Sequence, residues 1–221
     1  MQPWTALVAG GTGLVGGHLS SLLERAPDVG MAVSLVRKAG PPARGKLRAF
    51  KTDFDRLRLL PDLKPRAAFC CLGTTIAKAG SKEAFRRVDH DHVLAFARAA
   101  REAGTEAFCV VSSVDAEAGS KNFYLATKGE MEEGLRALGF PSLHLFRPSL
   151  LLGKRAEFRP AERLGMVAAP LLSPFMLGGL KRYRPVKAEI VAAAMLTAAR
   201  KAEPGTHIHQ FEAIRDLARG A

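Results

Sequence analysis

Two side chains suited to acid–base chemistry lie four residues apart in the segment Tyr124-Leu-Ala-Thr-Lys128. On a helix, residues four apart share one face, so the phenol and the ammonium would point the same way. A nearby cation favours the phenolate form and so prepares a tyrosine to exchange protons. The spacing therefore predicts a proton-transfer pair.

Two hydroxyl groups precede this pair, at the end of the apolar run Cys109-Val-Val-Ser112-Ser113. A hydroxyl at the end of a strand is suited to hydrogen-bond a substrate carbonyl. We therefore predict a catalytic set of Ser113, Tyr124 and Lys128, with Ser112 as the alternative hydroxyl and as a cofactor contact. A Tyr-x-x-x-Lys spacing alone is common by chance, and the prediction depends on the glycine cluster near the start of the chain.

That cluster has the spacing Gly10-x-x-Gly13-x-x-Gly16. It follows the apolar run from Ala6 to Ala9 and precedes an apolar helical stripe that stops before Pro27. A strand, a tight glycine turn and a helix place backbone N–H groups against a pyrophosphate. The predicted phosphate-binding residues are consecutive: Gly10, Gly11, Thr12, Gly13, Leu14, Val15 and Gly16.

A second cofactor signal is the pair Arg37-Lys38, about twenty residues beyond the glycine turn, where the adenosine ribose is read. NAD-selective sites keep an acidic residue there, whereas an arginine can pair with a 2′-phosphate. The pair predicts NADP rather than NAD, unless the two cations only begin a solvated loop.

Two further turns fall where strands three and four should end. Asp53 is placed to accept a hydrogen bond from the adenine amino group, next to Phe54, and Gly73 lets the backbone pass close to the cofactor. The predicted contacts of the second turn are Cys71, Leu72, Gly73 and Thr74.

Apolar runs alternate with helical stretches, which indicates an α/β fold with a doubly wound parallel sheet, a Rossmann fold. The predicted strands are 5–9, 32–36, 47–51, 67–71, 107–111, 142–146 and 207–211. The predicted helices are a stripe from Leu14, then 81–103 capped by Ser81, 123–138, 188–201 and one from Glu212. Residues 153–188 leave this rhythm and predict a small substrate-covering insertion.

The bulk composition limits the protein class. A length of 221 residues favours one domain over residues 1–221. The start has no basic signal region, no apolar stretch is long enough to span a membrane, and the three cysteines read as core residues, which together predict a cytoplasmic protein. A net charge of +12 indicates either an anionic cofactor or substrate or a surface that is simply solvated, and the lack of aromatic residues among the cations disfavours nucleic acid.

No metal site is expected from the histidines. His90 and His92 should diverge on a helix, and His207 and His209 share a strand face without an evident third ligand.

These motifs together resemble the short-chain dehydrogenase/reductase superfamily in order and spacing. The segments 88–89, 121–124 and 155–160 resemble an atypical branch that includes the Tat-interacting oxidoreductase-like proteins and bacterial proteins labelled nucleoside-diphosphate-sugar epimerase. The resemblance implies a Ser–Tyr–Lys catalytic set and nicotinamide contacts from Pro148, Ser149 and Leu150. Cys71-Leu72-Gly73 departs from the Asn-Ala-Gly of classical members, and the C-terminal region is short for a sugar-nucleotide epimerase.

The function predicted is an NADP-dependent oxidoreductase acting on a carbonyl or alcohol. The alternatives are an NADP-sensing module that regulates a partner protein, and a sugar-nucleotide epimerase. Arg155, Arg159 and Arg163 could clamp an anionic substrate or could pair with Glu157 and Glu162. The apolar stretch 166–180 could be covered by a second subunit or a protein partner.

Overall fold

The computed structural model describes residues 3–38, 45–153 and 177–220. Its centre is a seven-stranded sheet in which every neighbouring pair of strands is parallel. The strands are β1 (Trp4–Ala9), β2 (Val29–Val36), β3 (Leu47–Lys51), β4 (Ala67–Cys70), β5 (Ala107–Val111), β6 (Ser142–Phe146) and β9 (Gly205–His209). Their order across the sheet is β3-β2-β1-β4-β5-β6-β9. The predicted doubly wound parallel sheet is confirmed.

Helices cover both faces of this sheet, which is why strands such as β4 are apolar and buried at every position. They are α1 (Leu14–Arg25), α2 (Ile76–Ala79), α3 (Lys82–Arg86), α4 (His92–Glu102), α5 (Phe123–Ala137), α6 (Ala188–Lys201) and α7 (Phe211–Ala218). Residues of α1, α6 and α7 form one buried apolar cluster with the sheet, and residues of α4 and α5 form a second on the other face. Short 3₁₀ turns span Phe54–Arg56 and Gly178–Tyr183.

Two predicted elements differ from the observed ones by more than a shifted end. The single helix predicted over 81–103 begins at Lys82, with the Ser81 side chain capping it as predicted, but a π-helical segment, Arg87–Asp91, separates α3 from α4. The last strand is Gly205–His209 rather than 207–211, because Phe211 begins α7 and turns its ring into the core. The extra residue of the π-helical segment changes which side chains of that stretch face the sheet.

The strand order reverses between β1 and β4, the two neighbours from which the chain winds outward in opposite directions. At such a point the loops after the two strands separate and leave a crevice at the carboxyl edge of the sheet. The glycine cluster follows β1 and the Cys71–Thr74 turn follows β4. The fold therefore brings two of the predicted turns to one place.

A small second sheet lies beyond β6. The strand β7 (Leu151–Leu152) pairs in parallel with β8 (Val186–Lys187), so the two ends of the segment 153–185 are held side by side. Within the ranges that the structure describes, no helix combines the length and apolar character needed to cross a bilayer.

The three cysteines are free, and Cys70 and Cys109 are buried in the core strands β4 and β5. Burial raises the pKa of the Cys70 thiol to about 12, and it raises the pKa of Cys109 as well. Both thiols are therefore protonated, inert core groups.

Candidate active site

The glycine turn after β1 is packed directly against the turn after β4. Gly10 has a φ of +80°, and a Cβ on this residue would lie 2.5 Å from the carbonyl carbon of Cys71. A Cβ on Gly16 would lie 2.1 Å from the Gly10 carbonyl oxygen. Only glycine fits at these two positions, so the glycine spacing reflects real steric limits on this turn.

The N-terminus of α1 emerges from this turn with its first amides uncapped by side chains among the described residues. Gly13 is the N-cap residue and has no side chain to accept from them. The first N–H groups of a helix lack intrahelical partners, and the helix end carries a partial positive charge. The arrangement can receive an anionic group such as a pyrophosphate.

The predicted ribose and adenine contacts lie on the outer strands at the same edge. Arg37 and Lys38 are exposed immediately after β2. Asp53 is exposed, and its Oδ1 accepts from the Asp55 N–H at 3.0 Å as the cap of a 3₁₀ turn. Phe54 is buried, and its ring packs against the His92 ring, with 5.6 Å between the centroids.

The turn after β4 continues the edge toward the centre of the sheet. The Cys71 N–H donates to the Ala9 carbonyl at 2.8 Å, which ties the turn to β1. Leu72, Gly73 and Thr74 follow, and the Thr74 N–H donates to Asp89 Oδ2 at 2.8 Å. This last contact links the turn to the π-helical segment.

Ser112 and Ser113 come directly after β5, as predicted, but their environments differ. Ser112 is 5% exposed, and its Oγ has no hydrogen-bond partner among the described residues. Ser113 is half-buried, and its Oγ donates to the Val114 carbonyl at 3.2 Å. An unpaired buried hydroxyl is costly, so Ser112 Oγ has a hydrogen bond to offer a bound group.

Tyr124 and Lys128 lie on one face of α5, as their spacing predicts. The Asn122 side chain caps this helix by accepting from the Tyr124 and Leu125 N–H groups. The Tyr124 ring is half-buried and packs against the buried Phe85 ring at 5.5 Å between centroids. The helix also packs closely on the loop after β5, since a Cβ on Gly129 would lie 2.1 Å from the Ala118 nitrogen.

The Lys128 ammonium is buried and paired with a carboxylate. Lys128 is 3% exposed and Asp89 1%, and their Nζ and Oδ1 atoms lie 2.8 Å apart. Burial by itself would lower the pKa of Lys128, but the charges of Asp89 and Tyr124 raise it above the usual value. The lysine is therefore a cation in the interior of the protein.

Asp89 was not among the predicted site residues, although the sequence carries a signal for it. Phe85, Asp89, Val93 and Ala97 recur every four residues, and the three apolar members are buried. A carboxylate inside an apolar stripe must have a partner, because an unpaired buried charge is strongly disfavoured. The partner could not be named without the fold.

The residues after β6 lie near the returning end of the 153–185 segment. The Pro148 carbonyl accepts from the Val114 N–H at 3.0 Å. The Ser149 hydroxyl lies 2.9 and 2.6 Å from the carbonyl oxygens of Tyr183 and Arg184. That hydroxyl is engaged within the protein, and Leu150 accepts from the Val186 N–H.

The loop after β5 also contacts the returning end of that segment. Asp115 has a φ of 58°, unusual for a residue other than glycine. The Tyr183 hydroxyl donates to Asp115 Oδ2 at 2.6 Å, and Arg182 Nη2 donates to the Tyr183 hydroxyl at 2.9 Å. The predicted arginine cluster (Arg155, Arg159 and Arg163, with Glu157 and Glu162) lies outside the described residues.

A histidine cluster forms away from the glycine turn. His207 and His209 share a face of β9, and His144 of β6 lies against both, with ring centroids 5.0 and 5.2 Å away. The rings stack rather than converge, and His144 Nδ1 lies 3.0 Å from His209 Nε2. Residues 3–38, 45–153 and 177–220 contain no group of three or more potential ligands arranged for a metal ion.

Comparison with known proteins places the chain among mitochondrial relatives. The protein named fmp52, mitochondrial, of Aspergillus clavatus is 36% identical over 205 residues, which cover 89% of this chain and 87% of that protein. Relatives from Emericella nidulans, Coccidioides immitis and Candida albicans carry the same designation. The expectation of a cytoplasmic protein is therefore wrong, because it used only the absence of a recognisable signal and the cysteine content.

Solved structures with the same fold include proteins described in complex with UDP-sugars, with NAD or with NADPH. MoeE5, in complex with UDP-glucose and NAD, superposes with a TM-score of 0.68 at 20% identity over 98% of this chain and 82% of that one. The human epimerase family protein SDR39U1, with NADPH, gives a TM-score of 0.64 at 18% identity over 93% and 74%. The model of the NAD dependent epimerase/dehydratase family matches residues 6–218. The chain belongs to this family, which is part of the extended short-chain dehydrogenase/reductase superfamily.

Proposed function

We propose that this protein is an NADP-dependent oxidoreductase that acts on a carbonyl or alcohol substrate, in the atypical branch of its superfamily and as a single domain. One chain of contacts carries the proposal. The glycine turn touches the turn after β4, that turn donates to Asp89, and Asp89 pairs with Lys128, one helical turn from Tyr124. Phosphate-binding and proton-transfer groups therefore belong to one continuous site.

The residues present fit a dinucleotide on structural grounds. The turn at Gly10 and Gly16 has no room for side chains, and the first amides of α1 are uncapped among the described residues. An ammonium has three N–H donors, and Asp89 is the hydrogen-bond partner that the structure gives Lys128. We assign the pyrophosphate to residues 10–16 and the nicotinamide ribose to Lys128. The adenosine would lie against Asp53 and Phe54, and the middle of the dinucleotide against residues 71–74. The nicotinamide would lie beside Ser112 and residues 148–150.

When bound, the nicotinamide supplies or accepts the hydride. Tyr124 transfers the proton to or from the substrate oxygen, since it is half-buried and shares a helix face with the lysine cation. Ser113 holds the substrate oxygen, with Ser112 as the alternative. Lys128 binds the ribose and stabilises negative charge on the phenol.

The preference for NADP depends on Arg37 and Lys38. Structural neighbours include one described with NAD and one with NADPH, so the fold is compatible with either cofactor. Both cations are exposed at the end of β2, where a carboxylate would repel a 2′-phosphate. Arginine pairs with phosphate through two parallel hydrogen bonds.

The test is a fluorescence titration with NADPH and with NADH. The wild type should bind NADPH more tightly, and Arg37→Asp should remove about 2 kcal/mol of that preference, the value of a lost charge-assisted contact. Arg98→Asp, on the exposed side of α4, makes the same charge change away from the site and should keep the preference. Equal wild-type affinities would refute the NADP assignment.

A carbonyl-substrate screen at the nicotinamide absorbance tests turnover. Tyr124→Phe should abolish turnover while NADPH affinity stays nearly intact, because only the transferable proton is removed. An authentic substrate turned over equally fast by Tyr124→Phe would favour the alternative of a cofactor-sensing module.

The epimerase alternative has support from the family itself and from neighbours described with UDP-sugars. An epimerase returns its hydride, so UDP-sugar conversion would leave the NADPH absorbance unchanged. A net change in absorbance that matches product formation supports the oxidoreductase.

A further inference from the structure

The buried pair of Asp89 and Lys128 joins two parts of the site that are far apart in sequence. Asp89 Oδ1 lies 2.8 Å from the Lys128 ammonium, and Oδ2 accepts from the Thr74 N–H at 2.8 Å. A Cβ on Gly73 would lie 3.6 Å from the same carboxylate, so the turn after β4 is packed against it. One carboxylate thus touches both the turn and the lysine.

The π-helical segment is what presents Asp89 in this position. Between α3 and α4 the His92 N–H donates to the Arg87 carbonyl, five residues back, instead of four. A π-segment inserts one extra residue into a helix, rotates the side chains around it, and is frequent at functional sites. Here Asp89 is buried while its neighbours His90 and Asp91 pair with each other nearer the surface.

We propose that Asp89 is a positioning residue whose carboxylate keeps Lys128 charged and holds it in register with the turn after β4. The inference rests on the proposed function, because the ammonium that it positions is the one assigned to the cofactor ribose. The inference adds Asp89 to the proposed site and predicts the pH range over which Lys128 stays charged.

The charges around Lys128 make Asp89 the decisive partner. The groups that act on the ammonium are Asp89 from the π-segment, Tyr124 from its own helix and Cys70 from β4. Burial raises the pKa of Cys70 to about 12, so this thiol is neutral, and the charge of Asp89 raises the pKa of Lys128 more than that of Tyr124 does. Without the Asp89 charge, the burial of Lys128 would dominate and lower its pKa.

The test is the NADPH affinity between pH 7 and 9.5 for the wild type and for Asp89→Asn, which keeps the side-chain volume and an oxygen for the Thr74 N–H. The wild-type affinity should stay constant over this range. The Asp89→Asn affinity should fall by at least about tenfold as its lysine loses the proton. Asp91→Asn removes an exposed carboxylate from the same segment and should match the wild type.

Repeating the titration in the double variant Asp89→Asn/Tyr124→Phe assigns the alkaline loss to the lysine, because the phenol is then absent. Parallel profiles for the wild type and Asp89→Asn would overturn the role of Asp89 and leave NADPH binding standing. No NADPH binding by the wild type at pH 7 would refute the proposed function itself.

If Asp89→Asn does not fold, the wild-type profile decides alone. A flat profile to pH 9.5 supports a lysine held in its charged form. If the NADPH affinity instead falls with a midpoint below pH 9, and Tyr124→Phe shows the same fall, then Asp89 does not keep Lys128 in its charged form.

Discussion

Two ion pairs are buried along α5, one helical turn apart, and they differ in how completely the protein satisfies them. Lys128 meets Asp89 from the π-segment, and Glu132 meets Arg147 from the end of β6. Glu132 is fully buried and accepts from Arg147 through both oxygens, at 2.9 and 2.5 Å, and from Arg136 at 3.2 Å. Lys128 has a single carboxylate partner and unused donors within the described chain.

The difference separates a structural contact from one that we propose to be functional. The oxygens of Glu132 are occupied by two guanidinium groups, so this pair locks α5 to β6 and has little left to offer a ligand. The second pair leaves a buried cation beside the proposed cofactor site. A buried pair costs desolvation, and under the proposed function the protein bears that cost at Lys128 for cofactor binding.

The largest effect is expected from Glu132→Ala. It leaves the Arg147 guanidinium half-buried without its carboxylate, and loss of one partner of a buried pair costs about 3 to 5 kcal/mol. Chemical denaturation should show this loss in the free energy of unfolding, while the protein that remains folded binds NADPH as before.

Glu130→Ala is the matched control on the same helix. The Glu130 side chain is 37% exposed and pairs with Arg86. Exposed ion pairs contribute at most about 1 kcal/mol to the free energy of unfolding. Equal losses in the free energy of unfolding for Glu130→Ala and Glu132→Ala would show that the buried pair of Glu132 and Arg147 is not a special structural contact.

A smaller loss of stability, about 3 kcal/mol, is expected from Lys128→Met, since Asp89 is then buried without its cation but keeps the Thr74 N–H. The double variant Asp89→Asn/Lys128→Met should regain most of this stability and still fail to bind NADPH tightly. Calorimetry measures the stability of each variant, and an NADPH titration of the same samples measures the affinity. Recovery of NADPH affinity in the double variant would show that this pair, too, is only structural.

The histidine cluster gives a third buried polar group, one that is neutral instead of charged. Burial, together with the neighbouring histidines, lowers the pKa of His144 to about 3 and that of His209 to about 4. Unfolded histidines titrate near 6.5, so their contribution to stability is complete above that pH and is lost as the pH falls toward 4. The free energy of unfolding should fall by about 2 kcal/mol between pH 7 and pH 4.5.

His144→Gln should reduce this acid sensitivity, and His18→Gln, exposed on α1, should leave it unchanged. Denaturation curves at the two pH values make the comparison. An acid loss that is identical in the wild type and His144→Gln would place its origin outside the histidine cluster.

Local patterns were sufficient to predict the sheet and its turns. The glycine spacing predicted a turn without room for side chains, and the packing at Gly10 and Gly16 explains it. The four-residue spacing of Tyr124 and Lys128 predicted a shared helix face because the helical period is local. The apolar runs predicted the parallel strands for the same reason.

The buried partners could not be predicted because they come from distant segments. Lys128 and Glu132 are four residues apart with opposite charges, and spacing alone would pair them on a solvated helix surface. The structure instead pairs Lys128 with Asp89, which lies 39 residues earlier in the chain. It pairs Glu132 with Arg147, which lies 15 residues later.

The sequence by itself determined the α/β class, the glycine turn, the order of the strands along the chain and the face shared by Tyr124 and Lys128. Each of these depends on a short period or on one steric limit. Only the tertiary structure decided which charges are buried together, that Asp89 joins the turn after β4 to Lys128, and that His144 completes a histidine stack. Burial and partner choice depend on how distant segments pack, and no local spacing encodes that packing.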